Sequence, residues 1–406
     1  MPIHFTPIHL LRYVLKREAS QFFVSIAIRN LALGMVLIFE PIYIYIYFGH
    51  SLPLTLLFFG SAHGIYGLLA VFGAEVMEKF GPKHAILFSH FLFFGYFLCL
   101  LALSYSSLFL LLPLAIILKA LGMVLFWPSF HIDFCRFSQK QHQNRAVGKL
   151  NAACLAPAII SPLIGGWILS TFNYPVLFVT VLLVLLSSAI PMFLSKEVHV
   201  MYTDSYTAAW KRIFKKANRR ISIAFVFSHS EWGINVYIWP IFMAVLAISY
   251  SSMGGITTFA LAMATLFSLY MGRMSDRLIN RVRFLNLGSA LTSIAWVIKF
   301  FVNTPLSAFL ANTLYRICRT TASIPFQALL YERASLKGAE MDEFIVYREI
   351  LVNVSRFFFF IFLAVFFVFV PQVNYAFFIA AVMSLGFMFL GVPPRVFRKL
   401  SWWVKK

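Results

Sequence analysis

Acidic side chains are scarce in this chain. Only 14 Asp and Glu stand against 34 Lys and Arg, and charged residues make up 12% of the 406 positions. Soluble domains carry about 25% charged and about 45–50% apolar residues, whereas 61% of this chain is hydrophobic. The shortage of charge excludes a soluble globular domain and predicts an all-α polytopic membrane protein.

The sequence also lacks the spacing patterns of catalytic and metal sites. Its four cysteines are scattered without paired spacing, so neither a disulfide framework nor a zinc site is predicted. We find no phosphate-binding loop and no nucleophile elbow. ATP-driven transport and membrane catalysis therefore lack support, and we expect a protein that is not an enzyme and holds no cofactor or metal.

Lys and Arg are missing from every second loop. Apolar runs of the length that crosses a bilayer as a helix predict twelve spans, and the odd-numbered loops between them contain no basic residue. Because positive charge is retained on the cytoplasmic side, both termini are predicted to be cytoplasmic. The predicted spans are 20–48, 52–73, 85–104, 108–130, 150–171, 174–194, 221–248, 252–272, 284–302, 305–328, 346–370 and 375–393.

The net charge of +20 could suggest a nucleic-acid partner. The basic residues instead occupy short loops, where they set topology and meet anionic headgroups of the bilayer, so no nucleic-acid binding is expected. The densest cluster precedes the seventh span and is predicted to form an amphipathic segment on the membrane surface. It comprises Lys211, Arg212, Lys215, Lys216, Arg219 and Arg220.

Three landmarks recur in one order along the chain. Gly34 and Pro41 of the first span return as Gly233 and Pro240 of the seventh, and Trp127-Pro128 returns as Ile324-Pro325. The loop segment with Glu78-Lys79 likewise returns with Asp276-Arg277. This order predicts two parallel repeats of six helices: an N-terminal bundle (1–194), a central cytoplasmic loop (195–220) and a C-terminal bundle (221–406).

These features together resemble the major facilitator superfamily of transporters. That family carries a G-x-x-x-D-R-x-G-R-R-type motif after its second span and a weaker copy after its eighth. The resemblance implies that a carboxylate and a basic residue at a cytoplasmic helix end latch the two bundles in one conformation. The residues that match are Glu78, Lys79 and Gly81 in the first copy, and Gly272, Asp276 and Arg277 in the second.

The fifth span, PAIISPLIGG, is similar to the G-x-x-x-G-P-x-x-G-G motif of the family's exporters. Pro157 and Ser161 replace the first two glycines, while Pro162, Gly165 and Gly166 match. Small residues let helices approach closely and proline bends them. The resemblance therefore favours export and an antiporter mechanism.

Charged residues within spans are costly and usually mark a pathway. In the resembled fold, the first, fourth, seventh and tenth helices line a central cavity, and the charges of this chain concentrate on those helices. An excess of buried basic over acidic groups suggests an anionic or amphipathic substrate. Alternatively, these cations only neutralise Glu40 and Glu231. The candidate substrate-binding residues are Arg29, Lys119, Glu231, Asn235, Arg316, Arg319 and Gln327.

Coupling to a gradient needs a group that gains and loses a proton. Glu231, at mid-depth, is the first candidate, and His63 is the second because imidazole titrates near neutrality. Glu40 precedes Pro41 and either joins the coupling or gates the outer mouth.

The resemblance implies a monomeric secondary transporter of a small organic solute. It would work by alternating access with a proton or another ion gradient. A bacterial inner membrane is the default location for such a multi-pass protein. Two alternatives remain at this point: a membrane sensor or assembly partner that keeps the fold without transporting, and a lipid-handling protein, given 47 Phe residues.

Overall fold

A computed structural model of the chain describes residues 18–105, 110–139, 144–193, 202–216, 218–275, 281–335 and 341–390. Within these ranges all regular secondary structure is helical. The helices of the first half are α1 (Glu18–Val36), α2 (Phe39–Tyr47), α3 (Leu52–Phe80), α4 (Pro82–Leu103), α5 (Leu111–Gln139), α6 (Asn144–Thr171) and α7 (Tyr174–Phe193).

A short helix, α8 (Tyr206–Phe214), separates the two halves. The second half contains α9 (Arg219–Gly233), a π-helical segment (Ile234–Ile238), α10 (Trp239–Val245), α11 (Tyr250–Ser275), α12 (Arg281–Phe300), α13 (Pro305–Ser335), α14 (Met341–Phe369) and α15 (Ala376–Leu385). Two 3₁₀ turns, Val373–Tyr375 and Gly386–Leu390, flank α15.

Seven helical stretches among the described residues are long and apolar enough to cross a membrane, and an eighth is added if α1 and α2 form one bent span. The bend is 41°. The helix α13 is 31 residues long but is not one of the seven, because its polar stripe with Arg316 and Arg319 lowers its hydropathy. The protein is therefore a multi-pass membrane protein, while twelve spans and cytoplasmic termini stay predictions.

The Gly34/Pro41 and Gly233/Pro240 landmarks coincide with helix interruptions. In the first half, α1 ends at Val36 and α2 begins at Phe39, placing Pro41 in the first turn of α2, where proline's missing N–H is tolerated. In the second half, the π-helical segment Ile234–Ile238 directly precedes Pro240. A π-helical turn shifts the register of the following helix. Both landmarks thus break a helix at corresponding positions.

The two halves meet along α3 and α14 and along α6 and α11. A side chain at Gly67 in α3 would collide with the side chain of Val354 in α14 and crowd its backbone nitrogen. Gly254 of α11 likewise lies against the carbonyl of Pro162 in α6. Small residues at these crossings allow the contact between halves. Large apolar side chains on the outer faces, such as Phe72 and Phe358, are exposed, as expected for surfaces that face lipid.

Candidate functional site

A cavity of about 310 Å³ lies between the two halves. Its walls come from α1–α5 of the first half and from α9, the π-helical segment and α14 of the second half. Four basic residues and two carboxylates line it, together with three histidines and several aromatic rings. The charged lining residues are Arg29, Lys119, Arg348, Arg356, Glu40 and Glu349.

Glu40 and Lys119 form an ion pair in the wall of this cavity, and both side chains are 9% exposed. The hydroxyl of Tyr96 donates a hydrogen bond of 2.6 Å to Glu40 Oε1. The Lys119 ammonium also lies 4.7 Å from the centre of the Tyr96 ring and 5.2 Å from that of Phe59. The pair joins α2 to α5, as the two elements carry one partner each.

Arg29 faces the cavity without a carboxylate or hydrogen-bond partner among the described residues. Arg29 is only 4% exposed, and its Nε makes no hydrogen bond with a described residue. The guanidinium lies 3.3 Å from the centre of the Phe126 ring and 5.1 Å from that of Phe93. Stacking on aromatic rings stabilises a desolvated cation by up to about 2 kcal/mol, but it leaves the N–H groups available to an anion.

His63 joins the two halves at the cavity wall. Its Nδ1 lies 2.8 Å from Asn353 Oδ1, and its Nε2 lies 3.2 Å from the hydroxyl of Tyr237. An amide oxygen only accepts, so Nδ1 carries the proton and Nε2 accepts from Tyr237. One neutral tautomer therefore satisfies both contacts, and His63 is held as a bridge between α3 and the second half.

Glu349 is the centre of a second contact between the halves. Tyr66 of α3 donates a hydrogen bond of 2.8 Å to Glu349 Oε2, and Arg348 donates one of 2.7 Å to Oε1. Arg348 also contacts Nε2 of His131 in α5 at 3.0 Å. Deeper in the same wall, Arg356 contacts His229 Nδ1 at 2.9 Å. Helix periodicity in the sequence does not reveal such partners between the two halves.

Glu231 lies apart from this cavity, at the core of the second half, and is fully buried. Arg319 Nε donates to its Oε2 at 2.9 Å. Tyr315 and Trp296 donate to its Oε1 at 2.5 and 2.9 Å. Charge-assisted hydrogen bonds of this kind are about twice as strong as neutral ones. The Glu231 carboxyl group thus accepts hydrogen bonds from three donors.

Lys299 is a functional candidate that the sequence analysis did not single out, because it lies close to the predicted end of the ninth span. The structure buries it completely. Its Nζ donates to Asn312 Oδ1 at 3.2 Å and to Asn235 Oδ1 at 3.4 Å. It also lies 3.9 Å from the centres of the Trp239 and Tyr315 rings. Lys299 lies four residues before a predicted outer loop, where the positive-inside rule makes a lysine unusual. That position could have marked it as a candidate.

A smaller cavity of about 100 Å³ lies in the second half, beside the Glu231 cluster. Arg316 and Arg319 line it together with Asn235, Thr320 and Ser323, and Trp232 lines both this space and the larger cavity. The sequence analysis expected Arg316 and Arg319 to share one cavity with Arg29 and Lys119. The structure instead divides these four cations between two spaces.

Other predicted site residues lie outside both cavities. Gln327 continues the polar stripe of α13 but is exposed and lines neither space. Glu78 and Lys79 are exposed at the end of α3, and Gly81 adopts a φ of +86° that favours glycine. Beside them, Met77 packs with Ile345 of α14 in a small buried cluster, so the halves touch here through apolar groups.

Gly272 lies in α11, whereas Asp276 and Arg277 lie outside the described residues. In the fifth-span motif, Pro157 and Pro162 are inside α6. A side chain at Gly165 would collide with the Met35 carbonyl of α1, and one at Gly166 would collide with the Tyr250 carbonyl of α11. The motif thus serves close packing of α6 on both sides.

A sequence profile of the Major Facilitator Superfamily matches residues 22–341. The chain belongs to this superfamily. The resemblance stated from its motifs is thereby confirmed, and the protein is a membrane transporter by family. No curated protein sequence matches the chain.

Solved structures of transporters share the fold of this superfamily member. A D-xylose–proton symporter is 13% identical with a TM-score of 0.64, covering 92% of this chain and 98% of the symporter. The nucleoside transporter NupG is 13% identical with a TM-score of 0.67, covering 92% of this chain and 99% of its own. A POT family transporter in complex with a thioalcohol-conjugated peptide is 14% identical with a TM-score of 0.67, covering 95% and 96%. These similarities establish the fold and leave the substrate open.

Proposed function

We propose that this superfamily member is a secondary active transporter that moves a small organic anion by alternating access. The observation that carries the proposal is Arg29, a buried guanidinium that faces the larger cavity without a carboxylate or hydrogen-bond partner among the described residues. An unpaired buried charge is costly, and a bound carboxylate would relieve that cost with bidentate hydrogen bonds. Aromatic rings around Arg29 suit an amphipathic solute.

The proposed coupling ion is the proton, and Glu40 is now the foremost candidate to carry it. Glu40 lines the larger cavity beside Lys119, so contents of the cavity can reach its carboxylate. His63 also lines this cavity and stays the second candidate. Glu231 lines neither described cavity and has three donors, which favours a structural role over proton exchange.

Twelve spans in two rocking bundles, with both termini cytoplasmic, complete the proposal. The contacts of His63 with Asn353 and of Tyr66 with Glu349 join the bundles and would break as they separate. The loop with Glu78 and Lys79 would latch one state, aided by the Met77–Ile345 contact. Export is favoured by the proline-glycine motif of α6, whose glycines pack against α1 and α11.

Purified protein in liposomes that contain a pH-sensitive dye tests this proposal. Pools of organic anions and of lipophilic cations are added separately. We expect substrate-dependent proton flux with an anion pool, abolished in Arg29→Gln. The matched control is Lys215→Gln, which removes an exposed cation outside both described cavities and should leave the flux unchanged.

Flux with lipophilic cations only, undiminished in Arg29→Gln, would reject the anion proposal. Anion uptake without proton flux would reject proton coupling while keeping the substrate class. A Glu40→Gln variant separates these cases further, because it should retain counterflow of labelled substrate but lose proton-driven accumulation. Glu231→Gln, if folded, should keep the proton-driven step.

A further inference from the structure

The second half places three cations around the carboxylate of Glu231. Lys299 is fully buried, Arg319 pairs with Glu231, and Arg316 lines the same small cavity as Arg319. Both oxygens of Glu231 already accept hydrogen bonds. Lys299 binds two asparagine oxygens instead of a carboxylate. This cluster therefore contains more positive than negative charge among the described residues.

Of these three cations, Arg316 is the one whose side chain has no ionic or hydrogen-bond partner among the described residues. Its Nε is buried without a hydrogen bond, and no ion pair joins its side chain to any described residue. It borders the 100 Å³ cavity directly. Burying a guanidinium without an anion costs free energy, and this cost is removed if the cavity itself holds one.

The other walls of this cavity supply hydrogen-bond donors. Lys299 cannot accept a hydrogen bond, so Asn235 must turn its Oδ1 toward the ammonium, which leaves the Asn235 amide NH₂ as a donor. Thr320 and Ser323 contribute hydroxyl groups that now donate only to backbone carbonyls of their own helix. Together with Arg316 and Arg319, the lining therefore offers guanidinium, amide and hydroxyl donors.

The size of the space limits its occupant. At about 100 Å³, this cavity has about a third of the volume of the larger one. A halide or a small oxyanion fits, whereas an organic solute that would fill the 310 Å³ cavity does not. Trp232 lines both spaces, and on the side of the larger cavity its ring carries the guanidinium of Arg356 at 4.3 Å.

We propose that the cavity bordered by Arg316, Arg319, Asn235, Thr320 and Ser323 binds a small anion, separate from the solute site in the larger cavity. This anion balances the excess positive charge of the cluster around Glu231. It is either a free inorganic ion or a small free carboxylate such as acetate, since both offer the same negative oxygens or halide to the same donors. Its binding does not require that the transport proposal be correct.

Thermal unfolding of the detergent-purified protein tests the site directly. Sodium gluconate, whose anion is too large for the cavity, is replaced stepwise by chloride, phosphate or acetate at constant ionic strength. A ligand that binds only the folded state raises the unfolding temperature as it saturates the site. We expect a saturable rise with at least one small anion, and the anion that produces it identifies the source.

The variants locate the effect. In Arg316→Gln the apparent affinity for the small anion should fall by about tenfold or more, while Arg316→Lys should retain part of it. Arg29→Gln, which changes the larger cavity, should leave the anion-dependent rise intact. If Arg316→Gln does not fold, the double variant Thr320→Val/Ser323→Ala keeps both guanidiniums and should still weaken binding several-fold.

Equal unfolding temperatures in gluconate and in every small anion would overturn the proposal. So would a rise that persists in full in Arg316→Gln, or in the hydroxyl double variant where that is the variant available. A rise lost in Arg29→Gln but kept in Arg316→Gln would place the anion in the larger cavity, which also contradicts the proposal. None of these outcomes depends on proton flux, so failure here is distinct from failure of the transport assay.

Discussion

Glu40 in the first half and Glu231 in the second each accept hydrogen bonds from a cation and an aromatic hydroxyl, but the two clusters face different surroundings. Glu40, with Lys119 and Tyr96, lines the larger cavity. Glu231 is fully buried and lines neither described cavity, while its partners Arg319 and Tyr315 line the smaller one. Water or substrate in the larger cavity can replace a lost contact at Glu40, whereas the carboxylate of Glu231 itself borders neither cavity. The same chemistry therefore predicts exchange in the first half and rigidity in the second.

The largest expected effect comes from neutralising the withdrawn carboxylate. Glu231→Gln leaves Arg319 and the neighbouring Lys299 without a counter-charge, and breaking a buried pair in this way costs about 3–5 kcal/mol. Glu40→Gln should cost clearly less, because Lys119 borders the cavity. Thermal unfolding in one detergent compares the two variants, and equal losses would erase the distinction between the clusters.

A double substitution sharpens the same comparison. Removing both partners of a buried pair is far less costly than removing one, so Glu231→Gln/Arg319→Gln should recover at least half of the stability lost in Glu231→Gln. The corresponding pair, Glu40→Gln/Lys119→Gln, should recover little because little was lost. A double-mutant cycle on unfolding temperatures measures both coupling terms. A strictly additive result at Glu231 would mean that Arg319 is not its essential partner.

Matched tyrosine variants give a smaller effect. Tyr315→Phe removes a hydrogen bond to a fully buried carboxylate, and bonds to charged groups contribute about 1.5–3 kcal/mol. Tyr96→Phe removes the equivalent bond to Glu40 and should cost less, since a cavity water can take the place of the hydroxyl. Unfolding temperatures measured side by side decide the order. A larger loss in Tyr96→Phe would reverse it.

The smallest effect on stability is expected at Arg29. Arg29→Gln loses the stacking on Phe126, worth about 0.5–2 kcal/mol, but it also removes a buried charge that has no ionic partner. These contributions oppose each other, so the unfolding temperature should stay nearly constant while organic-anion binding disappears. A loss of stability as large as that of Glu231→Gln would show that Arg29 serves the fold rather than a ligand.

Much of the fold follows from the sequence alone. A segment that crosses a membrane must make its backbone hydrogen bonds within one helix, so each span is visible in the sequence as a long apolar run. The landmarks Gly34/Pro41 and Gly233/Pro240, which the sequence offers only as signs of a repeat, also mark two helix interruptions. Arg316 and Arg319 on α13 line the smaller cavity, whereas Gln327 on the same helix is exposed. A periodic pattern does not reveal where a helix leaves its neighbours.

The arrangement of the site was less accessible to sequence. Arg29 and Arg316 look alike in the sequence, as arginines within predicted spans, and only the packing of the helices decides that they border different cavities. The three donors to Glu231 come from α12 and α13, and no spacing rule joins them. Lys299 was missed because a lysine near a span end usually extends its head toward water, whereas here three rings and two asparagines enclose it.

The segment before α8 has a mechanical consequence. Thr203 donates a hydrogen bond to Glu343 of α14, while Tyr206 donates one to the Leu68 carbonyl of α3. The backbone from Thr203 to Tyr206 thus links the two halves, and at about 3.3–3.6 Å per residue it spans only about 10 Å when fully extended. Any movement that parts these anchor points further must first release one of them. The linker therefore limits how far the two halves can separate, in addition to connecting them.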